Sequence, residues 1–149
     1  MTKILLIVHV LAAIIAVGPV TVAASMFPAA ARQVLADPAD ERARAVLRNL
    51  HRVCRVYALV GVTVPVFGIA TANSLHALGD TWLIVSMVLT AIAAAVLAAL
   101  VLPRQSAVLE GPAEIADTKR LAMYTGIFNL LWAIVTVLMI VRPGSTTSV

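Results

Sequence analysis

The stretch TWLIVSMVLTAIAAAVLAALVLP, residues 81–103, decides how this chain must be read. It carries no charged side chain from Thr81 to Pro103. About 20 mostly apolar residues are what a helix needs to cross the hydrocarbon of a bilayer. Three further runs are equally free of charge, residues 4–31, 56–78 and 121–141. Open sheet edges cannot face lipid, so each run is expected to be a helix. The expectation is an all-α polytopic membrane protein, a single domain over residues 1–149 formed as a compact left-handed bundle of four transmembrane helices. Asn73, Ser74 and Gly79 form turns readily, so the second and third helices should make a tight hairpin.

Composition agrees. Of 149 residues, 62% are hydrophobic and 12% charged, against about 25% charge in an ordinary soluble domain, and the mean hydropathy is +1.02. One cysteine, Cys54, excludes an intramolecular disulfide and a four-thiolate zinc or iron–sulfur site within one chain. Lys3, the apolar stretch from Ile4 and the small residues Val22, Ala23 and Ala24 imitate a secretory signal. The run continues to Ala31, beyond an h-region of about 7 to 15 residues, and an uncleaved helix is expected.

The charges set an orientation. Arg32, Arg42, Arg44, Arg48, Arg52, Arg55, Arg104, Lys119 and Arg120 lie in the first and third loops, nine of the eleven lysines and arginines. Lys3 and Arg142 are the two on the other face. The positive-inside rule then puts both long loops in the cytoplasm and both termini outside, as in a bacterial inner membrane. Trp82, Tyr57 and Tyr124 fall where interfacial aromatics belong. The net charge of +4 does not indicate nucleic acid, because the basic residues flank apolar runs, where lipid phosphates are the nearer partner. Arg44, Arg48, Arg52 and Arg55 are accordingly assigned to anionic lipid head groups.

Asp37 and Pro38 read as the N-cap and first position of an amphipathic cytoplasmic extension of helix two. Ala43, Val46, Leu47, Leu50 and Val53 should form its apolar side, with the arginines opposite. Faces of small residues mark where helices should pack. They are Ala12, Ala13 and Ala16; Gly61, Pro65, Gly68 and Ala72; Ala91, Ala94, Ala95 and Ala98; and the more polar Thr125, Gly126, Asn129, Ala133 and Thr136. Asn129 should bond to another helix, and Gly18-Pro19 and Pro65 should kink theirs. Repetition of Pro-x-x-x-Arg-Gln at 28–33 and Pro-Arg-Gln at 103–105 suggests a weak duplication of two hairpins, each ending a helix.

His9 lies about 7 Å inside the first helix and should point inward. Its plain reading is a neutral imidazole bonded to a backbone carbonyl or to Asn73. Its functional reading is a cofactor contact in the outer leaflet, completed by Asn73, His76 and Thr136. His51 and Cys54 sit one turn apart at the inner end of helix two, too few ligands for structural zinc.

The opening Lys3-Ile4-Leu5-Leu6-Ile7-Val8-His9-Val10-Leu11-Ala12-Ala13, with Gly18, resembles the first helix of small bacterial membrane proteins related to the copper-resistance D family. The resemblance covers helix one, and an uncharacterised family of four-helix membrane proteins shares it. It implies that His9 is the position associated with metal or haem, although Val17 stands where those families commonly carry tryptophan. No catalytic or nucleotide motif stands out, so a non-enzymatic role is expected. The leading expectation is a packing or regulatory subunit of a membrane assembly, as a homo-oligomer or within a larger complex. The alternative is a haem-, quinone- or copper-handling redox protein, with haem b as the group His9 would hold.

Overall fold

A computed structural model describes residues 2–111 and 114–144, and these are helical apart from short turns. Helix α1, Thr2–Ala36, stays helical through Pro19 and Pro28. A second rod joins α2, Glu41–Gly61, to α3, Thr63–Ser74. The third contains α4, Thr81–Ala95, a π-helical stretch Val96–Val101, and α5, Leu102–Glu110. The fourth is α6, Ile115–Val141. All four rods are long and apolar enough to cross a membrane.

Each irregularity has a proline behind it. Pro65 has no N–H for the Gly61 carbonyl, and the α-helical ladder lapses at Val62, whose N–H bonds to the Leu59 carbonyl. Thr63 Oγ1 then takes the Val60 carbonyl at 2.7 Å. In the third rod the expected end at Pro103 is not observed. The chain widens into π turns before Pro103, the Arg104 guanidinium donates to the Leu100 carbonyl at 3.3 Å, and the helix runs on to Glu110. A π turn lets a helix absorb a residue that cannot donate, so proline displaces the ladder here without ending it. The parallel with Pro28 holds in this limited sense, since neither proline ends its helix.

Asp37 does not cap α2. Asp40 does, its carboxylate accepting from the Arg42 and Ala43 amides at 2.9 and 3.0 Å. Asp37 instead closes the turn after α1 by accepting from Ala39 N at 3.1 Å. The apolar stripe of α2 is also rotated from the expected one. Ala43, Leu47, His51 and Cys54 are buried, while Val46 is exposed. The hairpin after α3 places its left-handed residue at His76, φ 55°, rather than at Gly79.

α1 lies along both α2 and α3 and also touches α6, while α6 lies along the third rod and α5 touches α2. The ring closes at the arginine-rich end, where Phe27, Ala31, Leu47, Cys54, Val101 and Leu121 form the main core. A smaller core at the other end joins Ala72, Ala77, Trp82 and Leu83 to Met139. Of the expected small-residue faces, that of α1 meets that of the second rod: a Cβ on Gly61 would sit 4.0 Å from the Ala16 Cβ. The face on the third rod does not pack. Ala91, Ala94, Ala95 and Ala98 are exposed, and Ser86, Ala93 and Leu97 are buried instead. Small side chains present little surface either way, so spacing alone does not say which side a neighbour takes.

Asp40→Ala should destabilise the fold by about 0.5 to 2 kcal/mol, the cost of losing an N-cap. Asp37→Ala should cost clearly less. Equal losses in detergent-solubilised unfolding would contradict this assignment of the cap.

Candidate functional site

Three polar clusters interrupt the apolar interior. The first is His9, whose Nδ1–H donates to the Val64 carbonyl of α3 at 2.9 Å. Its ring lies on Gly68, where an added Cβ would sit 3.0 Å from Cε1, so glycine is what admits the imidazole. Of the two partners expected for His9, the structure selects the backbone carbonyl. Asn73, His76 and Thr136 are exposed. Thr136 Oγ1 donates to the Trp132 carbonyl of its own helix at 2.8 Å. Among the described residues no hydrogen bond joins any of the three to His9.

The second cluster joins α6 to α1. Asn129 Nδ2 donates to Ser25 Oγ at 3.1 Å, the interhelical bond that its position in an apolar run called for. Thr125 Oγ1, Asn129 Oδ1 and Trp132 Nε1 are buried without hydrogen-bond partners among the described residues. Thr125, Asn129 and Trp132 recur at spacings of four and three on one side of α6.

The third cluster lies at the arginine-rich end and has no counterpart among the expectations. Ser106 Oγ–H faces His51 Nε2 at 3.3 Å, His51 Nδ1–H donates to Gln105 Oε1 at 2.9 Å, and Gln105 Nε2 donates to Cys54 Sγ at 3.6 Å. The tautomer with its proton on Nδ1 satisfies both ring nitrogens. His51, Gln105 and Cys54 are buried. Serine, histidine and amide stand in the order of nucleophile, base and orienting group. The third member is neutral, however, and Ser106 lies inside α5, whose amides belong to the helix ladder rather than to an oxyanion. The arrangement is a clasp between α2 and α5. The sequence carried half of the signal: His51 and Cys54 continue the Ala43, Leu47 stripe at helical spacing, but nothing in it relates position 51 to position 105.

The arginines run beside the clasp, on the exposed flank of α2. Arg44, Arg48, Arg52 and Arg55 are all exposed. Arg52 and Arg55 flank a cavity of about 210 Å³ that His51, Val56 and Leu59 complete. Two other cations stack on aromatics, Arg104 over Tyr124 at 4.5 Å and Arg142 over Trp82 at 5.6 Å. Each pair joins a charge to an aromatic at one end of the apolar zone, the arrangement suited to a membrane–water boundary. No group of three or more histidine, cysteine, aspartate or glutamate side chains that could hold a metal ion occurs among the described residues.

No protein-family model, curated protein or solved structure matches the chain.

Two substitutions test the clusters. Gln105→Leu strands the buried His51 N–H and should lower stability by about 1 to 3 kcal/mol. Pairing it with His51→Leu should recover part of that loss, which two independent defects would not do. Asn129→Leu should cost about 0.6 to 2 kcal/mol, and an unchanged unfolding midpoint would reject its role in joining α1 to α6.

Proposed function

We propose that the chain is a four-span integral protein of a bacterial inner membrane, serving as a packing or regulatory subunit of a larger assembly, with copies of itself or with other membrane proteins. The observation that carries this reading is where the small residues go. One small-residue face, on α1, meets its neighbour, while that of the third rod, Ala91, Ala94, Ala95 and Ala98, is exposed. Association of helices in lipid depends on close approach at such residues. The interior polar groups support the same role, since His9 and Asn129 bond from one helix to another. The arginine-rich loops face the cytoplasm in this reading, with Arg44, Arg48, Arg52 and Arg55 toward anionic head groups.

A single observation favours a second reading. His9 donates through Nδ1 to a carbonyl, the outer contact that fixes the tautomer and leaves Nε2 free as a ligand. His9 is then the residue that would hold a haem b, and the haem would supply one-electron chemistry.

Purification from native membranes in mild detergent should yield a particle larger than one chain, and a single 15.6 kDa chain in its detergent belt would reject the subunit reading. An impermeant maleimide should label Gly79→Cys in intact cells and Asn49→Cys only after lysis, and the reverse order would invert the orientation. The haem reading requires a Soret band in the native protein that His9→Ala abolishes and His51→Ala retains. A native protein without that band removes it.

A further inference from the structure

A second, larger cavity of about 710 Å³ opens where the rods continue past their apolar runs. The end of α1 supplies Ala31, Val34 and Leu35, α2 supplies Leu47, and α5 supplies Val108 and Leu109. Pro38 and Gly111 close it at the turns. Its charged lining is Arg44 and Arg48, one helical turn apart, with Glu110, leaving one positive charge in excess. The volume falls within the range of about 300 to 1,000 Å³ typical of small-molecule sites, and so does the lining, apolar with a few convergent polar groups.

We infer that this cavity binds a single-chain anionic amphiphile, with its alkyl chain against Val34, Leu35, Leu47, Val108 and Leu109 and its carboxylate or phosphate between Arg44 and Arg48. Each half of the ligand has its own argument. Asp37 and Asp40 accept from backbone amides at the turn, and Glu110 is the one carboxylate in the lining, against the two guanidinium groups. A guanidinium pair holds a carboxylate or phosphate by charge-assisted, bidentate hydrogen bonds. Val34, Leu35, Leu47, Val108 and Leu109 lie beyond the charge-free runs, where water makes an apolar wall unfavourable to leave bare.

Depth decides between a bilayer phospholipid and a free amphiphile. Arg52 and Arg55 stand immediately before Val56, where the apolar run begins, and a phospholipid in the leaflet would place its phosphate there. Arg48 is eight residues before Val56 and Arg44 twelve, which at 1.5 Å per residue is about 12 and 18 Å further from the membrane. A two-chain lipid in the leaflet can offer its head group to these arginines, but its chains stay in the hydrocarbon and do not lie against Val34, Leu35 and Leu47. A single alkyl chain leaves far more readily, since each buried CH₂ contributes only about 0.8 kcal/mol to anchoring.

The test uses the full chain in phosphatidylcholine nanodiscs titrated with tritiated myristate, with empty nanodiscs as background. Saturable binding of one myristate per chain is expected. Arg44→Ala/Arg48→Ala should weaken it at least about tenfold, as loss of charge-assisted contacts requires. Arg52→Ala/Arg55→Ala should leave it unchanged, and myristate methyl ester should not compete. Leu109→Trp, which fills the cavity, should abolish binding, and if that variant does not fold the arginine pair and the ester still decide. Binding no greater than to empty discs overturns the proposal. So does a loss confined to Arg52→Ala/Arg55→Ala, which assigns the anion to a bilayer lipid, or displacement by an apolar peptide carboxyl terminus at concentrations where myristate has no effect.

Discussion

Close approach of the first rod to the second is the contact on which the remaining arrangement depends. Gly61 lets the backbone of α2 come within van der Waals reach of Ala16, and Gly68 gives the His9 ring its place against α3. Between apolar helices in an apolar solvent, dispersion and a few hydrogen bonds replace the drive that water supplies to a soluble core. The bond from His9 to the Val64 carbonyl therefore fixes register as well as contributing energy. With the second rod bound along α1, the Ser25 side of α1 remains for α6, and Asn129 takes it. The third rod then packs on α6 and returns to the second rod only at the far end, through α5.

That far end is where the molecule is most specific. Continuing the third rod beyond Pro103 brings Gln105 and Ser106 to His51, and the π turns before the proline make the continuation feasible. Without it α2 would present a histidine and a thiol to an apolar surface with no partner. With it, the clasp holds the buried side of α2, the arginines run beside it, and the ends of three helices line the larger cavity. Packing, anionic-lipid contact and amphiphile binding, as proposed, meet at this one corner. The opposite end is simpler, since α3 and α4 make little contact beyond their hairpin.

How much could be read in advance varies with the range of the interaction. Run lengths and missing charges marked four helices, and an asparagine inside an apolar run announced an interhelical bond without naming Ser25. Local signals were weaker where two residues compete for one role. Asp37 and Asp40 both precede a helical pattern, and the choice went to the carboxylate with two amides within reach. The alanine face of α4 misled because alanine is compatible with packing and with exposure alike.

What the sequence determined by itself was the set of elements: four helices, the end at which the arginines gather, the polar residues that need partners. A helix's internal hydrogen bonds and its apolar length are local properties, legible along one stretch of chain. Tertiary structure alone decided which partner each polar group received, which side of α4 turned inward, and that Pro103 would be bridged. Those outcomes depend on where a second helix lies. His51 and Gln105 are 54 residues apart, and no periodicity within either helix encodes the 2.9 Å between them.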